Sequence, residues 1–119
     1  MPDYKAPLRD MRFVMDEVFD FAAGYQTHGL TDASPDLVDA ILEESAKFAG
    51  EVLAPLNRTG DEEGCHFDDG VVTTPKGFKE AYQQYVDNGW AAMSGPVEFG
   101  GQGLPASLGL VVNEMTASA

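Results

Sequence analysis

The sequence predicts a mainly α fold, a small bundle of about four helices with at most one short β-hairpin. Three observations point there. Apolar residues recur at helical spacing in four stretches, near 11–23, 35–56, 75–88 and 105–119. Two of these open on a hydroxyl residue followed by proline, Ser34-Pro35 and Thr74-Pro75, pairing a capping side chain with a residue suited to the first helical position. Only one place, Asp68-Asp69-Gly70 between Cys65-His66-Phe67 and Val71-Val72-Thr73, carries the turn chemistry of a tight hairpin, because glycine tolerates the positive φ such turns need.

The opening dozen residues, with Pro2 and Pro7, read as extended. The first helix, Met11 to Ala23, offers Phe13, Val14, Val18, Phe21 and Ala22 as its apolar side, and Gly24 with the polar run to Gly29 ends it. The second is the clearest. Val38, Ile41, Leu42, Phe48, Ala49, Val52, Leu53 and Leu56 fall on one side of a helical wheel, while Asp36, Asp39, Glu43, Glu44, Lys47 and Glu51 fall on the other. Asp36 and Asp39 suit the positive end of the helix dipole, and Glu43 and Lys47 are spaced for an ion pair. Residues 57–73 then read as a polar connection that contains the hairpin at 66–73.

Thr74 is expected to cap the third helix, whose apolar face is Phe78, Ala81, Tyr82, Tyr85 and Val86, with Gly89 closing it. Trp90 to Met93 forms an apolar connection, followed by the glycine-rich run Phe99-Gly100-Gly101-Gln102-Gly103 and Pro105, which opens the fourth helix. In that helix Leu108, Val111, Val112 and Met115 line one side and Leu110 sits nearly opposite. From Phe99 to Ala119 the only charge is Glu114, and no capping glycine or basic last turn follows. A helix apolar nearly all round is expected to be buried on all sides. The sequence is accordingly expected to be the N-terminal part of something larger, whose last helix lacks its partner surface, and to be inactive alone.

Composition removes several functions. Apolar residues make up 44% and charged residues 23% of the 119, ordinary values for a folded chain. Twenty acidic against seven basic residues give a net charge of −13. That field repels phosphate backbones and anionic lipid, so neither nucleic acid nor a membrane surface is an expected partner. No apolar run is long enough for a membrane span. Cys65 is the single cysteine and the first residues do not read as an export signal, which predicts a cytoplasmic location and makes the sequon at Asn57-Arg58-Thr59 a chance match.

No motif supplies chemistry. Gly100-Gly101-Gln102-Gly103 before a helix invites a phosphate, but the preceding strand and glycine spacing of a dinucleotide fingerprint are absent, as is a P-loop lysine, so it reads as a structural turn. Asp61-Glu62-Glu63 and Asp68-Asp69 lack the alternation of a calcium loop and read as a solvated acidic loop. Cys65-His66 has no second pair at zinc spacing, and neighbours on a strand point to opposite faces, which argues against a nucleophile–base pair. His28 reads as a surface residue, and Trp90, Tyr82 and Tyr85 as core aromatics. The sequence thus predicts no catalytic residue, no cofactor-binding residue and no metal ligand among its 119 positions.

Two stretches resemble a known family. Pro96-Val97-Glu98-Phe99-Gly100-Gly101-Gln102-Gly103-Leu104, followed by a helix with Asn113-Glu114-Met115 and preceded by Asp87-Asn88-Gly89-Trp90-Ala91-Ala92-Met93, resembles the N-terminal helical domain of flavin-dependent acyl-CoA dehydrogenases. Val52-Leu53-Ala54-Pro55-Leu56-Asn57, then Gly60-Asp61-Glu62-Glu63-Gly64, and the opening Tyr4 to Phe13 are similar to the 3-methylmercaptopropionyl-CoA dehydrogenase-like branch of that family. Val97 and the lone Glu114 depart from the commoner spellings.

The resemblance implies that residues 1–119 are the N-terminal α-helical domain of a larger FAD-dependent enzyme that dehydrogenates an acyl-CoA between its α and β carbons. The β domain that binds FAD and CoA, the C-terminal helical domain and the catalytic glutamate would lie outside this sequence. It implies an acyl-CoA substrate, an electron acceptor and a homo-oligomer as partners, and FAD bound by the whole protein but not by these residues alone. It also places Met115, with Val111 and Val112, towards the closed end of the acyl-chain pocket. The alternative from a different class is a small acidic helical module that docks a partner protein through its apolar last helix.

Overall fold

A computed structural model describes residues 3–119. Its described elements are mainly helical, joined by one two-stranded antiparallel ribbon. The chain enters in an extended run in which Tyr4, Ala6 and Leu8 alternate onto the core.

The first helical region differs from the single helix expected at 11–23. Helix α1, Leu8–Arg12, widens into a π-helical stretch, Phe13–Val18, and stops; α2, Phe21–Thr27, starts afresh. Between them Asp20 sits in the left-handed region at φ 48, where its carboxylate accepts from the Ala23 amide at 3.3 Å and so caps α2. An aspartate tolerates that conformation because its short side chain bonds locally, which is why the break needs no glycine. The break also changes the buried face. Phe13, Val14 and Val18, expected inside, are exposed, and Met11 and Met15 enter the core instead. Arg12 fixes this rotation by bonding Asp39 at 2.7 Å and also Glu43 on the next long helix.

Helix α3, Pro35–Phe48, begins as the sequence indicates: Ser34 Oγ accepts from the Leu37 amide at 3.2 Å and Pro35 opens the first turn. It does not end near Leu56. A π-helical stretch, Ala49–Leu53, leads into α4, Ala54–Glu63. Pro55 has no amide hydrogen and its ring crowds the carbonyl four residues back, so the widened turn before it lets the chain pass without stopping. Past Pro55, the Arg58–Glu62 pair at 2.8 Å supports the extra turns, and Gly64 at φ 69 ends them. Asp61, Glu62 and Glu63 are therefore helical, not part of an acidic loop.

The hairpin forms at the expected place. β1, His66–Asp68, pairs with β2, Val71–Thr73, in the register Phe67 opposite Val72. Asp69 and Gly70 both have positive φ, as a two-residue turn of this hand requires. Helix α5, Phe78–Asp87, begins three residues later than expected and is not capped by Thr74; Gly77, at φ 90, precedes it. Pro75 is buried, and Glu63 Oε2 accepts from the Lys76 amide at 3.0 Å, which closes the base of the hairpin excursion.

Two short 3₁₀ turns, Trp90–Ala92 and Val97–Phe99, lead to α6, Ala106–Ser118. The core lies chiefly between α3 and α6, with Leu42, Leu108, Val112 and Met115 packed against Met11, Met15 and Met93. Tyr25 and Ser107 hydroxyls bond at 2.7 Å and tie α2 to the start of α6. Helix α6 is not buried all round: Leu108 and Met115 are 0% exposed, but Leu110 on the opposite side is 69% exposed.

Candidate functional site

The glycine-rich run is held by backbone pairing. Gly101 donates to Pro96, Gln102 to Ala92, Gly103 to Gly95 and Leu104 to Met93, all at 2.9 Å. Gly100 donates to Val97 at 3.0 Å. The amides that would have to point at a phosphate are thus consumed by the chain itself, and the run is a structural knot. Glycine is required there by close approach: a Cβ on Gly101 would lie 2.0 Å from the Gly95 carbonyl oxygen. Gln102 reaches back to donate to the Gly89 carbonyl at 2.8 Å, which pins the end of α5 to the knot.

The knot sets the height of α6. Gly109 presses on Ser94 so closely that a Cβ would meet the hydroxyl at 2.6 Å. Seated this way, α6 sends Met115 into the core, where it is fully enclosed with Leu108 and Val112. Val111 is partly buried against the same cluster. Beside Met115, the last turn of α6 faces open space. Thr116 and Ala117 line an apolar groove of about 550 Å³ whose other walls are Leu53 at the end of the π-helical stretch, Leu56 of α4, and Phe78 and Tyr82 of α5. Sequence reasoning assigned those α5 residues to a core face; Tyr82 is instead 68% exposed in this groove. A second groove of about 560 Å³ on the other side of the α6 terminus runs along Tyr4, Lys5, Gly50, Asn57, Arg58 and Ser118.

Two described side chains have shifted proton affinities. Burial pushes the Tyr4 phenol above its ordinary value, and the nearby charge of Glu114 adds to the rise. The hydrogen bond to Glu43 raises the Arg12 guanidinium above its usual range; burial opposes it and Asp39 assists. Neither is placed beside a nucleophile. Among the described residues no three His, Cys, Asp or Glu side chains gather to hold a metal ion. Cys65 is exposed and His66 begins β1. Trp90 is half-buried beside the core, and its indole Nε1 and the Tyr4 hydroxyl are buried without a partner among the described residues. No helix among the described residues is long and apolar enough to cross a membrane.

The described residues form a helical unit whose last helix is seated by the glycine knot. No family model matches the chain. It is 39% identical over 116 residues to 3-methylmercaptopropionyl-CoA dehydrogenase of Ruegeria pomeroyi, a match that takes in 98% of this chain and 20% of that protein. It is 32% identical over 91 residues to butyryl-CoA dehydrogenase of Syntrophomonas wolfei, covering 73% of this chain and 15% of that one. Both relatives are acyl-CoA dehydrogenases, and the chain spans about a fifth or less of their length.

Proposed function

We propose that residues 1–119 are the N-terminal helical domain of an FAD-dependent acyl-CoA dehydrogenase, which removes a proton from the α carbon and a hydride from the β carbon of an acyl-CoA. The observation that carries this reading is the 39% identity running through 98% of the chain, from the extended entry to α6. The sulfur-bearing acyl group in that relative's name makes a short acyl thioester the first substrate to try. The residues present do not fit FAD: the glycine knot has its amides internally paired, and no basic cluster or nucleotide fingerprint replaces it. Flavin binding and the catalytic base accordingly belong outside these residues, and 1–119 alone is expected to retain no FAD at micromolar concentration in equilibrium dialysis. The electron acceptor, a homo-oligomeric state and a cytoplasmic location are part of the same reading.

In this reading Met115 backs the closed end of the acyl pocket. Met115 is completely enclosed with Leu108 and Val112, and an enclosed side chain behind a pocket wall sets its depth without touching the reacting carbons. Apolar pockets discriminate by about 1–3 kcal/mol per methylene. Met115→Trp in the full-length protein is therefore expected to lower kcat/KM on long acyl-CoAs selectively, while short ones keep their rate. An equal loss at every chain length would reject the pocket role and leave Met115 as core packing.

A further inference from the structure

We infer that residues 4–28 form a strap that lifts from α3 and α6 as one unit, and that a hydroperoxide traps it open by oxidising Met11 and Met15 to their sulfoxides.

The strap is fastened through side chains. Its backbone hydrogen bonds run within the segment or to Gly29 and Leu30, and among the described residues none joins it to the body. Three polar contacts cross over: Arg12 to Asp39 and to Glu43 on α3, and the Tyr25 hydroxyl to that of Ser107 on α6. The Arg12 side chain is 33% exposed and its carboxylate partners 59% and 56%, so water and salt reach both ion pairs. An exposed pair of this kind shifts an equilibrium by about fivefold at most.

The apolar seat is incomplete as well. A cavity of about 70 Å³ lies between Met15, Phe21 and Tyr25 of the strap and Val38 and Leu42 of α3. One water needs only about 10–15 Å³ of such space. With no backbone ladder to its neighbours, latches that solvent reaches and a void beneath it, the strap opens at lower free energy than the helices it covers.

Sulfur is what the strap keeps from solvent. Met11 and Met15 ride on it, both buried, in the cluster that also holds Met93 and Met115. Four of the five methionines in the chain therefore meet there. Closed, the strap holds its thioethers away from a dissolved oxidant. Open, the sulfur attacks one oxygen of hydrogen peroxide and the O–O bond breaks. The leaving hydroxide takes the proton from the oxygen now on sulfur and departs as water, so that sulfur is oxidised and peroxide reduced by two electrons. The sulfoxide is polar and does not return to the apolar seat beside Leu42 and Leu108, which leaves the strap off.

Dilute hydrogen peroxide on the full-length protein, read by peptide mass spectrometry, follows the opening methionine by methionine. Met11 and Met15 are expected to oxidise at least about tenfold faster than Met93, which sits on the body. Raising sodium chloride from about 0.01 to about 1 M shortens the screening length from ~30 to ~3 Å, and is expected to speed both about three- to tenfold. Arg12→Gln is expected to show the fast rate at either salt concentration, and Tyr25→Phe to be faster than wild type with its salt dependence kept. Equal rates at Met11, Met15 and Met93 would overturn the inference, because whole-domain unfolding would then expose them together. A wild-type rate indifferent to salt would overturn it too. Trapping has its own readout. After the peroxide is removed, amides of residues 8–27 are expected to exchange at least about tenfold faster than before treatment while those of α3 do not change. Met11→Leu with Met15→Leu is expected to abolish that gain, and restored protection in the oxidised wild-type protein would reject the trap.

Discussion

Helices α5 and α6 carry apolar residues at the same spacing and meet opposite fates. On α6, Leu108, Val112 and Met115 are sealed against α3. On α5, Phe78, Tyr82 and Val86 stay substantially exposed, and only Ala81 is buried. Periodicity reports which side of a helix avoids water; it does not report whether the neighbour lies within the same 119 residues. The cause of the difference is seating. The glycine knot and the Tyr25–Ser107 bond lock α6 onto the body at its start, while α5 rises from an uncapped turn after the exposed hairpin and is pinned mainly at its end by Gln102.

The largest test of that contrast is truncation on each face. Leu108→Ala is expected to cost about 2–5 kcal/mol, because it empties a fully enclosed site. Tyr82→Ala should stay within about 0.5 kcal/mol in the same 119-residue chain. Urea unfolding measures both, and comparable losses would erase the distinction between the two faces. Next comes the knot. Gly101→Ala drives a methyl into the Gly95 backbone and is expected to cost about 3 kcal/mol, whereas Gly100→Ala meets nothing within 4 Å and should cost only about 1–2 kcal/mol for its left-handed backbone. A larger loss at Gly100 would mean that conformation, not contact, dictates the glycines. The helix starts give a smaller effect. Ser34→Ala should lose about 1 kcal/mol, while Thr74→Ala should be near neutral because Thr74 caps nothing.

The smallest effect concerns Tyr4, which packs on the core side. Its buried hydroxyl has no partner among the described residues, so Tyr4→Phe should range from neutral to about 1 kcal/mol more stable at pH 7. The pH dependence has a definite sign. A phenol whose folded pKa lies above its unfolded value of about 10 favours the fold fully below that value. The contribution is lost as pH climbs from there through the raised folded pKa. Wild-type protein should therefore lose stability above about pH 10 that Tyr4→Phe keeps; parallel alkaline curves for the two would reject the burial of Tyr4.

Much of the framework was legible because its signals are local. Ser34-Pro35, Asp69-Gly70 and the Pro105 start each act over four or five residues, and each structure begins or turns where those residues stand. The misjudged features depend on partners distant in sequence. Nothing around Asp20 says that the chain will turn left-handed there, since the reason is that Arg12 must reach Asp39 and Glu43 while Met11 and Met15 face inward. The second helix is expected to end at Leu56, because the π-helical stretch that carries the chain past Pro55 to Glu63 has no sequence signature of its own. The glycine knot was recognisable as a turn, and the resemblance of its residues to acyl-CoA dehydrogenases agrees with the relatives found. The apolar groove was not recognisable, because its walls come from residues 53–56, 78–85 and 116–119, which no sequence window brings together.

The excursion between Gly64 and Gly77 has a consequence for variation in length. Its stem is closed by the Glu63–Lys76 bond and by Phe78 against Gly60, while every residue of both strands points into solvent. Residues inserted at Asp69-Gly70 would therefore leave α4 and α5 where they are. The entropic cost grows only logarithmically, about 0.6 kcal/mol for each doubling of the loop. This is the position at which the domain can accept a tag, a fluorophore or a whole guest module without disturbing the wall of the groove, and at which a protease can nick the chain while its two halves stay assembled.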